Sequence, residues 1–177
     1  VAPKLHRACN DNIASITEAL EQLRNRGHRR IGLALPRRHD RRVAHLWLCG
    51  FLGFDAVCQR DETVAPLVED NWNPEVLSRW LRRERPDAVV STDARVRSWL
   101  DELGADDVAF ANLNRMPGES SVPGIDQEYE RVASAAVDLI AAQLQRNESG
   151  PPDHPKTVLL KGSWLEAALP AATHKGA

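Results

Sequence analysis

Leu23-Arg24-Asn25-Arg26-Gly27-His28-Arg29-Arg30-Ile31-Gly32-Leu33-Ala34-Leu35 decides the fold, because in it a helix stops and a strand begins without a pause. Upstream, Ile13, Ile16, Leu20 and Leu23 recur at the spacing of one helical face. Gly27 supplies the left-handed residue at which such a helix ends. Ile31, Leu33 and Leu35 then alternate with period two, the repeat of a strand. Together they predict an α/β unit.

The pattern continues outward. Pro36 to Asp40 reads as a polar loop, and Val43, Leu46, Trp47 and residues 50–54 as a helix with a broad apolar face. Thr63 to Val68 suits a short strand. Asn73-Pro74-Glu75 opens the best-punctuated helix, with an asparagine cap, proline in the first turn and an acid beside it. Its buried stripe is Val76, Leu77, Trp80 and Leu81. After Pro86, Asp87 to Ser91 reads as a central strand, and a helix from Ala94 to Leu103 follows, using Val96, Trp99, Leu100 and Leu103 before Gly104. Val108 to Asn112 is the next strand. Asn114 to Gly124 is a loop that crosses between structural units. Gln127 to Gln145 forms a long helix with Val132, Ala135, Ala136, Leu139, Ile140 and Leu144 inside. Thr157 to Leu160 is the last strand, ahead of a tail after Ala168. Helices alternating with strands predict an α/β fold with a parallel sheet flanked by helices on both faces.

Composition narrows the function. The 177 residues, 42% of them hydrophobic, suit one core. A formal charge of −2 argues against nucleic-acid binding by this chain alone. Arg24, Arg26, Arg29, Arg30, Arg37, Arg38, Arg41 and Arg42 crowd one region, readable as a solvated helix end and loop or as a site for phosphate or an acidic partner. Cys9, Cys49 and Cys58 support neither a disulfide framework nor a zinc knuckle, so a reducing cytoplasm fits best. No apolar run reaches the roughly 18 residues needed to span a bilayer, and no secretory signal opens the chain, so no membrane partner is expected. Val1-Ala2-Pro3 suggests a fragment of a longer protein.

Catalytic signatures are sparse. No nucleophile elbow, phosphate-binding loop, dinucleotide fingerprint or His-Glu-x-x-His occurs, and the six histidines lack metal spacing. Asp93 and Asp126 are a conceivable carboxylate pair that nothing in the sequence brings together. No enzyme activity, metal or cofactor is expected.

The chain resembles the LacI/GalR-type bacterial transcription regulators over nearly its whole length. Asn10-Asp11, the first helix and Gly27-His28 stand where the family has Asp-Asn, helix and Gly-His. Gly50-Phe51 is similar to the family's Gly-Phe, and Pro86-Asp87-Ala88-Val89 with Thr92-Asp93 to its proline, apolar strand and Asn-Asp. Gly124-Ile125-Asp126-Gln127, Ala136-Val137-Asp138-Leu139-Ile140 and Thr157-Val158-Leu159-Leu160 match its closing helix and final strand. The resemblance implies a periplasmic-binding-protein-like effector domain, two α/β subdomains joined by three crossovers with a ligand between them. Residues 1–168 would be mainly the C-terminal subdomain, with the 125–146 helix on the N-terminal side and 169–177 a tail. Only one wall of the cleft would then be complete. The implied partners are a sugar or related small molecule, operator DNA through a helix-turn-helix absent from this chain, and a second copy in a homodimer. An exported sugar-binding protein serving a transporter is the alternative.

By the same resemblance the ligand-binding candidates are Asn10, Trp47, Trp72, Asp93, Asn112 and Asn114. Trp47 stands where the family places a sugar-binding arginine, Leu113-Asn114 where it places an aspartate pair, and Asn10 where it has an acid. All three changes remove charge. Trp72 matches a cleft-facing aromatic position. Structural readings stand beside these: Trp47 and Trp99 as core, Thr92-Asp93 as a helix cap, Asn112 and Asn114 as turn formers, and His28 as the partner of a helix C-terminus.

Overall fold

A computed structural model describes residues 4–58, 63–119 and 121–168. Its strands are β1 (Arg7–Asn10), β2 (Ile31–Pro36), β3 (Leu67–Glu69), β4 (Ala88–Ser91), β5 (Ala109–Arg115), β6 (Gly124–Asp126), β7 (Thr157–Leu160) and β8 (Ser163–Leu165). The helices are α1 (Asn12–Asn25), α2 (Arg37–Arg42), α3 (Leu46–Cys58), α4 (Pro74–Glu84), α5 (Arg95–Glu102) and α6 (Tyr129–Gln145). Six strands form one sheet in the order β3-β2-β4-β5-β6-β8, parallel except for the β6–β8 pair. β1 and β7 make a separate parallel pair.

The sheet is covered on both faces. Ile31, Leu33 and Leu35 turn to a core built with Ile16, Leu20 and Leu23 of α1 and Phe51 and Phe54 of α3. Ala34 and Val89 face the other core, with Leu77 and Trp80 of α4 and Val96, Trp99 and Leu100 of α5. Every residue of β2 is therefore buried, as a central parallel strand requires. Gly32 is fixed by packing: a Cβ there would lie 2.5 Å from the Trp80 ring. Gly27 adopts φ +94°, the predicted helix stop.

Several expectations are corrected. Pro36 to Asp40 is not a loop. Pro36 is the last residue of β2 and α2 follows at once, its six polar residues carrying no apolar period by which to recognise it. Asp40 is fully buried there; its carboxylate accepts from Leu48 N–H at 3.2 Å and pairs with His45 Nδ1 at 2.8 Å, tying α2 to α3. β5 runs on to Arg115, three residues past Asn112, because it pairs with β6, and the 157–160 strand is followed by β8. β3 begins only at Leu67. The largest departure is α6, of which no residue is buried: Ile140 is 57% and Leu144 70% exposed. Of the predicted stripe, Val132, Ala135, Ala136 and Leu139 are half-buried, in a helix that packs mainly on β1 and β7. The predicted tail, beyond Ala168, lies outside the described residues.

Three short passages join the two sheets. The chain leaves β1 at Asn10 and enters α1 at Asn12, leaves β6 at Asp126 for α6 at Tyr129, and leaves β7 at Leu160 for β8 at Ser163. Gly162 lets the last two touch, since a Cβ on it would stand 2.6 Å from the Asp126 carbonyl oxygen.

Candidate functional site

Parallel strands end together, and in open α/β sheets the carboxyl ends are where loops leave a crevice. Here that crevice is a cleft of about 290 Å³ beside two of the passages. Cys9 and Asn10 reach it from β1, Asn12 from the start of α1, His39 and Arg42 from α2, Trp47 from α3 and Thr92 from the turn after β4. Asn114 comes from the end of β5, and Gln127 and Tyr129 from the turn after β6.

The lining is held by internal hydrogen bonds. His39 Nδ1 lies 2.8 Å from Thr92 Oγ1, the Tyr129 hydroxyl donates to Asn114 Oδ1, and the Asn10 amide donates to the Gln127 carbonyl. Gln127 Nε2 donates to the Leu113 carbonyl at 2.6 Å, while its Oε1 is buried and accepts nothing. Burial and the Arg38 guanidinium, with help from Arg42 and Arg95, hold His39 below its ordinary 6.5 against the pull of Asp93. Burial raises the Tyr129 phenol, against its hydrogen bond to Asn114. The cleft therefore presents neutral amides, hydroxyls and a neutral imidazole, one guanidinium, and no carboxylate.

Of the six candidate ligand residues, Asn10, Trp47 and Asn114 line this cleft and Trp72, Asp93 and Asn112 do not. Trp47 is also a core residue, only 5% exposed. Trp72 donates its indole N–H to Asp93 and packs on Trp99. Asp93 also accepts from the Arg95 backbone N–H at 3.1 Å and pairs with its guanidinium at 2.6 Å, so it secures the turn that starts α5. Burial pushes that carboxyl up, but the hydrogen bonds from Arg95 and Trp72 outweigh it and leave it low. Asn112 is 1% exposed; its Oδ1 accepts from Asn114 N–H at 2.9 Å and its amide donates to Glu119. In a regular strand Asn112 and Asn114 would share a face. The register of β5 on β6 shifts between Asn112 and Arg115, and such an irregularity re-aims side chains.

His39, Arg42, Thr92, Gln127 and Tyr129 were missed as site residues. The available signal was position alone: each follows the carboxyl end of a strand, and two of those strand ends were misread. The arginine-rich stretch does not act as a unit. Arg24 lies over Phe54, Arg26 over Trp164, Arg30 bonds the Glu84 and Arg85 carbonyls and Arg37 pairs with Asp70, leaving Arg42 alone in the cleft. His28 closes the helix end through its backbone N–H on the Leu23 carbonyl, while its ring faces Asp87 at 3.7 Å. Among the described residues no three His, Cys, Asp or Glu side chains gather as metal ligands, and no helix is long and apolar enough to cross a membrane. Asp126 is occupied by the Glu128 backbone N–H, Asp93 by Arg95.

Residues 20–165 match the periplasmic binding protein-like domain. No curated protein matches the chain. In shape it is similar to a regulatory protein of the LacI family from Chloroflexus aggregans, at 24% identity and a TM-score of 0.67, covering 89% of this chain and 61% of that one. It is similar to a LacI family transcriptional regulator from Enterococcus faecium with bound ribose, at 15% identity and 0.65, covering 89% and 62%. A periplasmic binding protein/LacI transcriptional regulator from Alkaliphilus metalliredigens complexed with D-xylulofuranose matches at 16% identity and 0.64, covering 91% and 65%. The chain thus spans under two thirds of the length of each.

Proposed function

Because the chain belongs to the periplasmic binding protein-like domain family, we propose that it is the effector-binding portion of a LacI-type transcription regulator. A small molecule in the cleft would alter operator binding by the parent protein. The observation that carries this reading is the composition of the lining: Asn10 arrives from the two-stranded sheet, while His39, Thr92 and Asn114 arrive from the six-stranded one, so a ligand there feels any rotation about the three passages. A ligand that prefers one rotation shifts the population toward it, and by linkage DNA alters the ligand's affinity in return.

Three observations support it. The cleft is of single-ring size, at the small end of ligand pockets. The Enterococcus and Alkaliphilus structures hold five-carbon sugars. Val137, Ile140 and Leu144 of α6 and Leu159 of β7 are exposed apolar side chains that the remainder of a first subdomain would cover. A cytoplasmic homodimer that reads operator DNA through a further domain is the assembly this reading entails; an exported solute-binding protein is its competitor.

The test uses the parent protein. Operator affinity is measured with and without a sugar that raises the melting temperature of this chain. A change of tenfold or so supports the regulator reading, corresponding to about 1.4 kcal/mol of coupling. Sugar binding with no DNA binding at all would favour the transport reading.

A further inference from the structure

We propose that the cleft selects an anionic polyol, a sugar-like molecule carrying a carboxylate or phosphate, with Arg42 on the anion and Gln127 Oε1 accepting from a hydroxyl. The inference rests on the effector-cleft reading and narrows it.

The argument is one of charge left over. Arg42 is the single guanidinium of the lining, and among the described residues no carboxylate pairs with it. No lining residue is acidic. The charged groups facing His39 are Arg38, Arg42 and Arg95 against Asp93 alone, and Asp93 is already engaged by Arg95 and Trp72. The charges that act on the Tyr129 phenol are Arg42 and, against it, Asp126. Arg42 is exposed, and any ligand that fills the cleft removes water from it. A neutral sugar offers that guanidinium hydroxyl acceptors but no opposite charge, whereas an anion gains a charge-assisted, bidentate pair. The guanidinium thus favours the anionic ligand class over the neutral one.

Gln127 is the second, independent observation. It is 2% exposed, it lines the cleft, and its Oε1 is a buried acceptor with no donor, although its Nε2 is satisfied by Leu113. Buried acceptors are rarely left open, and a hydroxyl donor on the ligand completes this one. Anion and hydroxyl together define the ligand class.

Isothermal titration of the 177-residue chain with ribose 5-phosphate, ribonate, ribose and inorganic phosphate tests this, repeated on Arg42→Ala. Arg42 is exposed, so the variant keeps its unliganded melting temperature. At least one of the two anionic polyols is expected to bind about tenfold or more tighter than ribose, with the preference lost in Arg42→Ala. The stronger of the two identifies phosphate or carboxylate. Ribose binding as tightly as both anions overturns the inference and leaves the effector reading standing, as does an anion preference that survives Arg42→Ala. Inorganic phosphate binding as well as ribose 5-phosphate overturns it too, by removing the role of the hydroxyls. Silence from all four overturns the inference, while the effector reading stands or falls by the operator experiment.

Discussion

Trp72 Nε1 donates to Asp93 Oδ2 over 2.9 Å, and its ring leans on Trp99 at a centroid separation of 5.6 Å. An indole so engaged supports the cleft from behind: Asp93 follows Thr92, whose hydroxyl meets His39 in the lining.

Asp93→Asn is expected to lose about 2 kcal/mol of stability at neutral pH, since the bonds from Arg95 and Trp72 are to a buried charge. The Asp93 carboxyl is held below its ordinary 3.8, so its contribution is full above that value and fades as pH falls through the lowered one. Urea unfolding at pH 7 and pH 3 checks this: the gap between wild type and variant narrows at the lower pH, and an equal gap at both would contradict the assignment.

His39 follows the same proton logic in a higher pH window. Its folded value lies below 6.5, so on acidification the unfolded chain takes up the proton first. The stabilising contribution is full above pH 6.5 and declines below it until the folded value is passed. His39→Gln is expected to flatten the pH dependence of the melting temperature below pH 6.5, and a curve unchanged by the variant would show that His39 is not its source.

Gly124 faces Asn112 across the β5–β6 pair, and a Cβ there would sit 2.0 Å from the Asn112 carbonyl oxygen, an atom of backbone that cannot swing aside. Gly124→Ala is expected to cost about 3 kcal/mol or to prevent folding. A variant within about 0.5 kcal/mol of wild type, the ordinary scatter of surface changes, would mean that the strands separate freely.

Val137→Lys with Leu144→Glu on α6 is expected to leave the stability of this chain within about 0.5 kcal/mol, because both side chains are exposed. The same pair placed in the parent protein is expected to cost several kcal/mol, as charges buried without partners do. Equal effects in the two settings would remove the case for a covering subdomain.

What could be read from the sequence follows from range. α1, α4, β4 and β7 were legible because their punctuation is local: Gly27, Asn73-Pro74, Pro86 and a compact apolar run. β6 and β8 have three residues each, too few to display a period, and α2 has no apolar residue at all. The α6 stripe was read as inside because periodicity reports which side of a helix is apolar, not what lies against it. At the site, Asn10, Trp47 and Asn114 were reachable through a resemblance, whereas Arg42 and Tyr129 depend on where α2 and β6 end. Trp72 and Asp93 were assigned to the ligand because one residue's choice between a neighbour and a ligand is settled by distances that a linear chain does not display.

β1 and β7 pair in register from Arg7 beside Thr157 to Asn10 beside Leu160, a separation of 150 residues. Such contacts return nothing until the intervening loop has been closed, whereas the six-stranded sheet grows by joining near neighbours. The β1–β7 pairing is therefore the slowest of the described strand pairings to form. During synthesis β1 leaves the ribosome 150 residues ahead of β7 and cannot make this pairing until β7 has followed it. Asn10 sits at the end of that strand, so its place in the cleft lining is fixed only after β7 has arrived.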